Sequence, residues 1–87
     1  MPKILEINGY KFFFYSNEGY PFLEKMHIHV RKGESIAKYF IEPEIQLANN
    51  YGFNSSELGW IEREILKHKN LFEERWNDYF KNRRQGK

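Results

Sequence analysis

The chain of 87 residues contains no cysteine. Disulfides and thiolate metal sites are therefore excluded, and stability must come from packing. Proline occurs only three times. No apolar run approaches the roughly 20 residues of a membrane span, and "MPKILEING" lacks the basic flank and apolar stretch of a secretory leader. A cytoplasmic protein without a membrane partner is the expectation. There is no internal repeat, no low-complexity tract and no linker, so residues 1–87 read as a single domain. Also missing are a GxSxG elbow, a phosphate-binding loop and a dinucleotide fingerprint.

Aromatic residues, by contrast, are abundant: eight Phe, six Tyr and two Trp make up 18% of the chain. Each buries a large area, which is how so short a chain can build a core. Charged residues at 30% keep it in solution. The net charge of +2 is unevenly placed. Residues 1–80 hold ten Lys/Arg against twelve Asp/Glu, and the last seven, "KNRRQGK", add four cations and no acid. The excess is a basic tail (83–87 and its approach) rather than a patch, so nucleic acid is not the favoured partner. Nothing apolar in the tail asks to be buried, and it is expected to contribute nothing to folding.

Asn8-Gly9 between "KILEIN" and "KFFFYS" reads as a hairpin turn, because both residues accept positive φ. "SNEGYPFLEK" reads as a loop. "MHIHVRK" and "SIAKYFI", joined at Gly33-Glu34, read as a second hairpin that ends at Pro43, and "EIQLAN" (44–49) as a fifth strand. From Asn54 the period changes. Asn54 and Glu57 have capping-box spacing, and Leu58, Ile61, Ile65, Phe72, Trp76 and Tyr79 recur every three or four residues. This predicts one long amphipathic helix over roughly 55–82, with Asn70 as a candidate kink. The fold class is α+β: a small antiparallel sheet of four to five strands, about 3–49, packed by one long C-terminal helix.

Function turns on "MHIHVR". Alternation places His27, His29 and Arg31 on one face and Met26, Ile28 and Val30 on the other. Imidazoles at i and i+2 are near enough to share a metal or to act as an acid–base pair. A third ligand would have to come from His68, Glu18, Glu42 or Glu44, and no spacing singles one out. His68 sits on the helical stripe, hence on the opposite side of the sheet if Met26, Ile28 and Val30 face the helix. The plain structural alternatives carry more weight: a wet strand face for the pair, and a core-edge imidazole for His68. No metal or other cofactor is expected. "KFFFYS" is apolar on both faces, Phe12 and Phe14 one way and Phe13 and Tyr15 the other. With only one helix to cover it, the second face is expected to meet a partner protein or a second copy of the chain.

The segments "INGYKFFFYSNEG", "HIHV", "LANNYGFNSSEL" and "HKNLFEERW", in that order over residues 2–80, resemble a small bacterial domain-of-unknown-function family numbered 4160. Its members carry a "YxNxxxPPHxHV"-like segment and a helix ending in "HREELLxxW". The resemblance matches Tyr15, Asn17 and Glu18 to the front of that segment, His27 and His29 to its histidines, and His68 and Trp76 to the helix motif. The family's Pro-Pro is Lys25-Met26 here, so a role needing a rigid approach to His27 is not carried over. No settled activity comes with the family. The resemblance implies half of a toxin–antitoxin-like two-gene module, working with a cognate small protein encoded nearby. The expectation is thus a partner-binding component using His27, His29, Arg31, Tyr15, Asn17, Glu18 and His68. The rivals are a small nuclease-like or metal-dependent enzyme using His27, His29 and Arg31, and a nucleic-acid-binding module.

Overall fold

The computed structural model describes residues 3–14 and 25–78. Five strands, β1 (Lys3–Ile7), β2 (Tyr10–Phe13), β3 (His27–Lys32), β4 (Ser35–Phe40) and β5 (Gln46–Tyr51), are followed by α1 (Ser55–Lys67) and α2 (Lys69–Trp76). The strands form one antiparallel sheet in strict sequence order, so the fold is the expected two-layer α+β domain.

Local chemistry sets the turns. Asn8 (φ 53°) and Gly9 (φ 83°) both take positive φ, the geometry of a two-residue hairpin turn whose twist matches its strands. The predicted fifth strand is present, with a bulge at Ala48: Lys38 pairs with Asn49, whereas Tyr39 pairs with Leu47. The α1 start is a full capping box. The Glu57 amide donates to Asn54 Oδ1 at 2.8 Å, and the Asn54 amide donates to Glu57 Oε1 at 2.9 Å.

One face of the sheet carries Phe12, Phe14, Ile28, Val30, Tyr39 and Ile41, and this face meets Ile61, Ile65, Phe72 and Trp76 of the helical layer. All are buried, as the stripe predicted, while Leu58 is only half-buried. Tyr39 is the largest fully buried side chain. Its hydroxyl donates to the Leu58 carbonyl (3.3 Å) and to Glu62 Oε2 (3.1 Å), tying β4 to α1. Burial, then the Glu62 carboxylate, pushes its phenol well above the usual value of 10.

The single long helix is corrected. The helical layer breaks at His68, two residues before Asn70, where φ −109° and ψ 21° leave the helical region. His68 closes α1, its amide donating to the Glu64 carbonyl (3.0 Å), and opens α2, its carbonyl accepting from the Phe72 amide (3.1 Å). Two shorter helices can each lie flat on a twisted sheet, which one straight rod cannot. Tyr79 and the tail 83–87 lie outside the described residues.

Candidate functional site

β3 is the centre of the sheet and carries both histidines of the pair. Cross-strand registry sets their neighbours: His29 lies opposite Phe13 and Lys38, and His27 opposite Phe40. On the face away from the core, the Phe13 and His29 rings stack with centroids 5.5 Å apart. The His27 and His29 rings meet edge to face at 5.2 Å. His27 Nδ1–H donates to the Lys25 carbonyl at 2.8 Å, which fixes the proton on that nitrogen.

The expectation of an uncovered histidine face is overturned for His27. Its residue exposure is zero, and its ring stands edge-on to Trp76 of α2 at 4.9 Å. The helical layer therefore reaches past the end of the sheet and touches a side chain that alternation assigns to the far face. His29 is also buried, at 9% exposure, and only Arg31 of the three is exposed.

His68 is not brought to the pair. Its ring packs on Phe72 at 6.3 Å, and its Nε2 lies 3.6 Å from Glu64 Oε1. Lys67 approaches the same carboxylate, Nζ to Oε2 at 3.2 Å. Among the described residues no group of three or more His, Cys, Asp or Glu is arranged to hold a metal ion. Tyr15, Asn17 and Glu18 lie outside the described residues. Of the acidic candidates, Glu42 instead sits beside Glu73 of α2: a hydrogen bond to that carboxylate, aided by partial desolvation, raises its pKa, and Lys69 opposes the rise.

What remains open on the outer face lies toward β5. A groove of about 300 Å³ is framed by His29, Ile36, Lys38, Asn49 and Tyr51. Tyr51 is 74% exposed. One cross-strand row there reads Lys11, Arg31, Ile36 and Tyr51, the next Phe13, His29, Lys38 and Asn49. Lys25 and Lys38 stand over the Phe40 ring at 5.0 and 5.5 Å. This face combines aromatic rings and cations, and Glu6, at the β1 end of the first row opposite Lys11, is the one carboxylate in the two rows. Tyr51 falls just after the expected end of the fifth strand at residue 49, so the sequence reading left it out. Its place opposite Ile36 follows only once the bulge at Ala48 has shifted the register.

A second cleft, of about 560 Å³, lies on the helical side between the Pro43–Ile45 segment and the α1 face bearing Gly59, Glu62, Arg63 and Leu66.

The architecture is that of a small two-layer domain whose central strand carries an enclosed histidine pair beside an aromatic, basic sheet face. By sequence the chain belongs to the family described as a domain of unknown function, DUF4160, whose model matches residues 9–77. No curated protein and no solved structure matches the chain. Among the described residues no helix is long and apolar enough to cross a membrane.

Proposed function

We propose that this chain is the partner-binding component of a bacterial toxin–antitoxin-like two-gene module, and that the outer face of its sheet is the surface its cognate small protein meets. The observation that supports this reading is Tyr51, 74% exposed beside the groove framed by His29, Ile36, Lys38 and Asn49. An exposed aromatic ring next to Ile36, with Arg31 beyond it in the same cross-strand row, is the kind of anchor that dominates protein interfaces. Lys11, Arg31 and Lys38, against the single carboxylate of Glu6, which is already paired with Lys3, favour a partner with an acidic rim, which speeds encounter as well as choosing the partner. The enclosed histidines serve this surface from beneath: His29 holds Phe13 and forms part of the groove floor.

The test is co-expression with the product of the neighbouring gene, followed by affinity capture and a growth assay of each half alone. Tyr51→Ala and Arg31→Glu should each weaken partner affinity at least tenfold, about 1.4 kcal/mol. Both sites are exposed, so the fold should be retained. Unchanged affinity in both variants would defeat the assignment of the surface. A hydrolytic activity lost in His29→Ala, with partner affinity intact, would instead identify an enzyme.

A further inference from the structure

The helical side of the molecule carries a second surface, which meets the outer sheet face along β5. We infer that the β5 edge and the adjoining face of α1 form the interface of a two-fold dimer of this chain.

Three observations carry this inference. The first concerns charge. β5 is an edge strand, exposed along its whole length, and no charged residue occurs between Glu44 and Glu57 in a chain otherwise rich in charge. Edge strands are usually guarded by charged side chains against pairing with another edge. The opposite edge, β1, follows that rule, with Lys3 and Glu6 forming an ion pair on it at 2.9 Å. Among the described residues the bulge at Ala48 is the single guard on β5, and it leaves Asn49–Tyr51 regular. A second β5 laid antiparallel against this edge brings no like charges together and continues the antiparallel order of the sheet.

The second observation is a stripe on α1. Gly59, Glu62, Arg63 and Leu66 recur at i, i+3, i+4 and i+7, so they share one helical face. That face is distinct from the buried one carrying Ile61 and Ile65. It borders the cleft, and Leu66 on it is 65% exposed. Glycine is among the poorest helix formers, yet Gly59 lies inside α1. Among the described residues nothing requires it: an added Cβ would meet only the flexible Arg63 Nη1, at 3.6 Å. Close packing of a second helix on this face would require a small residue there.

The third is the symmetry of that stripe. A two-fold axis normal to the sheet joins two β5 edges, keeps both helical layers on the same side and runs the two α1 helices antiparallel. The stripe is self-complementary about its midpoint, between Glu62 and Arg63. Leu66 of one copy then faces Gly59 of the other, a large residue into the space left by a small one. Glu62 of one copy faces Arg63 of the other, acid to base. A second copy thus supplies a complementary shape and the opposite charge at each position of the stripe.

The experiment is sedimentation velocity of the full chain over a concentration series reaching hundreds of micromolar, with circular dichroism and thermal melting to check each variant's fold. The wild type should be a reversible dimer. Leu66→Glu and Gly59→Leu should each weaken association at least tenfold; Leu66 is exposed, and a Cβ at Gly59 meets only Arg63 Nη1 among the described residues. Glu62→Arg and Arg63→Glu should each weaken it alone, and the double substitution in one chain should restore it. The bond lost from Tyr39 to Glu62 is common to Glu62→Arg and the double variant, so the recovery between those two reads only the intermolecular pair. A wild type that stays monomeric at every concentration would overturn the inference. So would a dimer whose affinity ignores both Gly59→Leu and Leu66→Glu.

Discussion

The His27 imidazole stands edge-on to the Trp76 indole, with centroids 4.9 Å apart and planes at 65°. Trp76 also meets Phe14 at 5.6 Å, at 68°. One indole therefore closes the end of the sheet over side chains that strand alternation sends to opposite faces. This makes Trp76 the residue that converts a covered sheet into a wrapped one.

Trp76→Ala should cost about 3–5 kcal/mol, the range for deleting a large buried aromatic. Chemical denaturation with the slope held common to both proteins is the measurement. A loss below about 1 kcal/mol would mean that the His27 and Phe14 contacts are replaceable.

Gly52 turns the chain from β5 toward α1 with φ 102°, and an added Cβ would lie 3.2 Å from the Ser35 Cα. Both the backbone and the space are thus closed to a side chain. Gly52→Ala should destabilise by more than about 1 kcal/mol, read as a fall in the denaturation midpoint. Gly33, also at positive φ but with open space around it, should tolerate the same change better, since only the backbone term applies.

Tyr39 gives the chain an alkaline limit. Its folded-state pKa lies above the unfolded value of 10, so above pH 10 the unfolded chain loses this proton while the folded chain keeps it. The unfolded state then binds fewer protons, and stability falls as pH rises. Tyr39→Phe should lower stability near pH 7 by about 1 kcal/mol, for the lost hydrogen bonds, and flatten the decline above pH 10. Melting temperatures of both proteins from pH 8 to 11 provide the comparison.

Glu42 acts in the same sense at acid pH. Its raised pKa means that the folded chain holds a proton which the unfolded chain releases near 4.5. Stability from this group is present below pH 4.5 and is lost as pH rises through the folded-state value. Glu42→Gln should leave stability at low pH nearly unchanged and raise it at neutral pH, because a neutral amide beside Glu73 removes the repulsion. An unaltered pH profile would show that the two carboxylates do not share a proton.

The parts of the fold governed by neighbours in the chain were legible in the sequence. Asn8-Gly9 fixes its turn through its own φ angles, and Asn54 with Glu57 fixes its cap through atoms three residues apart. The stripe Ile61, Ile65, Phe72 and Trp76 follows from helical period alone. What failed depends on contacts remote in sequence. The break falls at His68, whose carbonyl and amide serve two helices, and no local signal separates that position from Asn70. His27 was placed on an open face by alternation, which describes a flat strand and is blind to a helix end folded around it. Phe13 was read correctly as an apolar residue on the second face, and its stacking on His29 gives that apolarity a use within the chain.

The meander order of the sheet sets a schedule for synthesis. Each strand pairs with the one made just before it, so hairpins can zip as the chain leaves the ribosome, and the two-residue turns of β1–β2 and β3–β4 make those steps fast. The helical layer comes last. At about 5–20 residues per second, β1 to β4 precede Ile61 and Trp76 by seconds, with Phe12, Phe14, Ile28 and Val30 on a naked sheet face in the meantime. A transcript cut short before α2 would therefore yield an adhesive product rather than a smaller domain. Chaperone demand during translation should be concentrated in that interval and should end when Trp76 closes over His27.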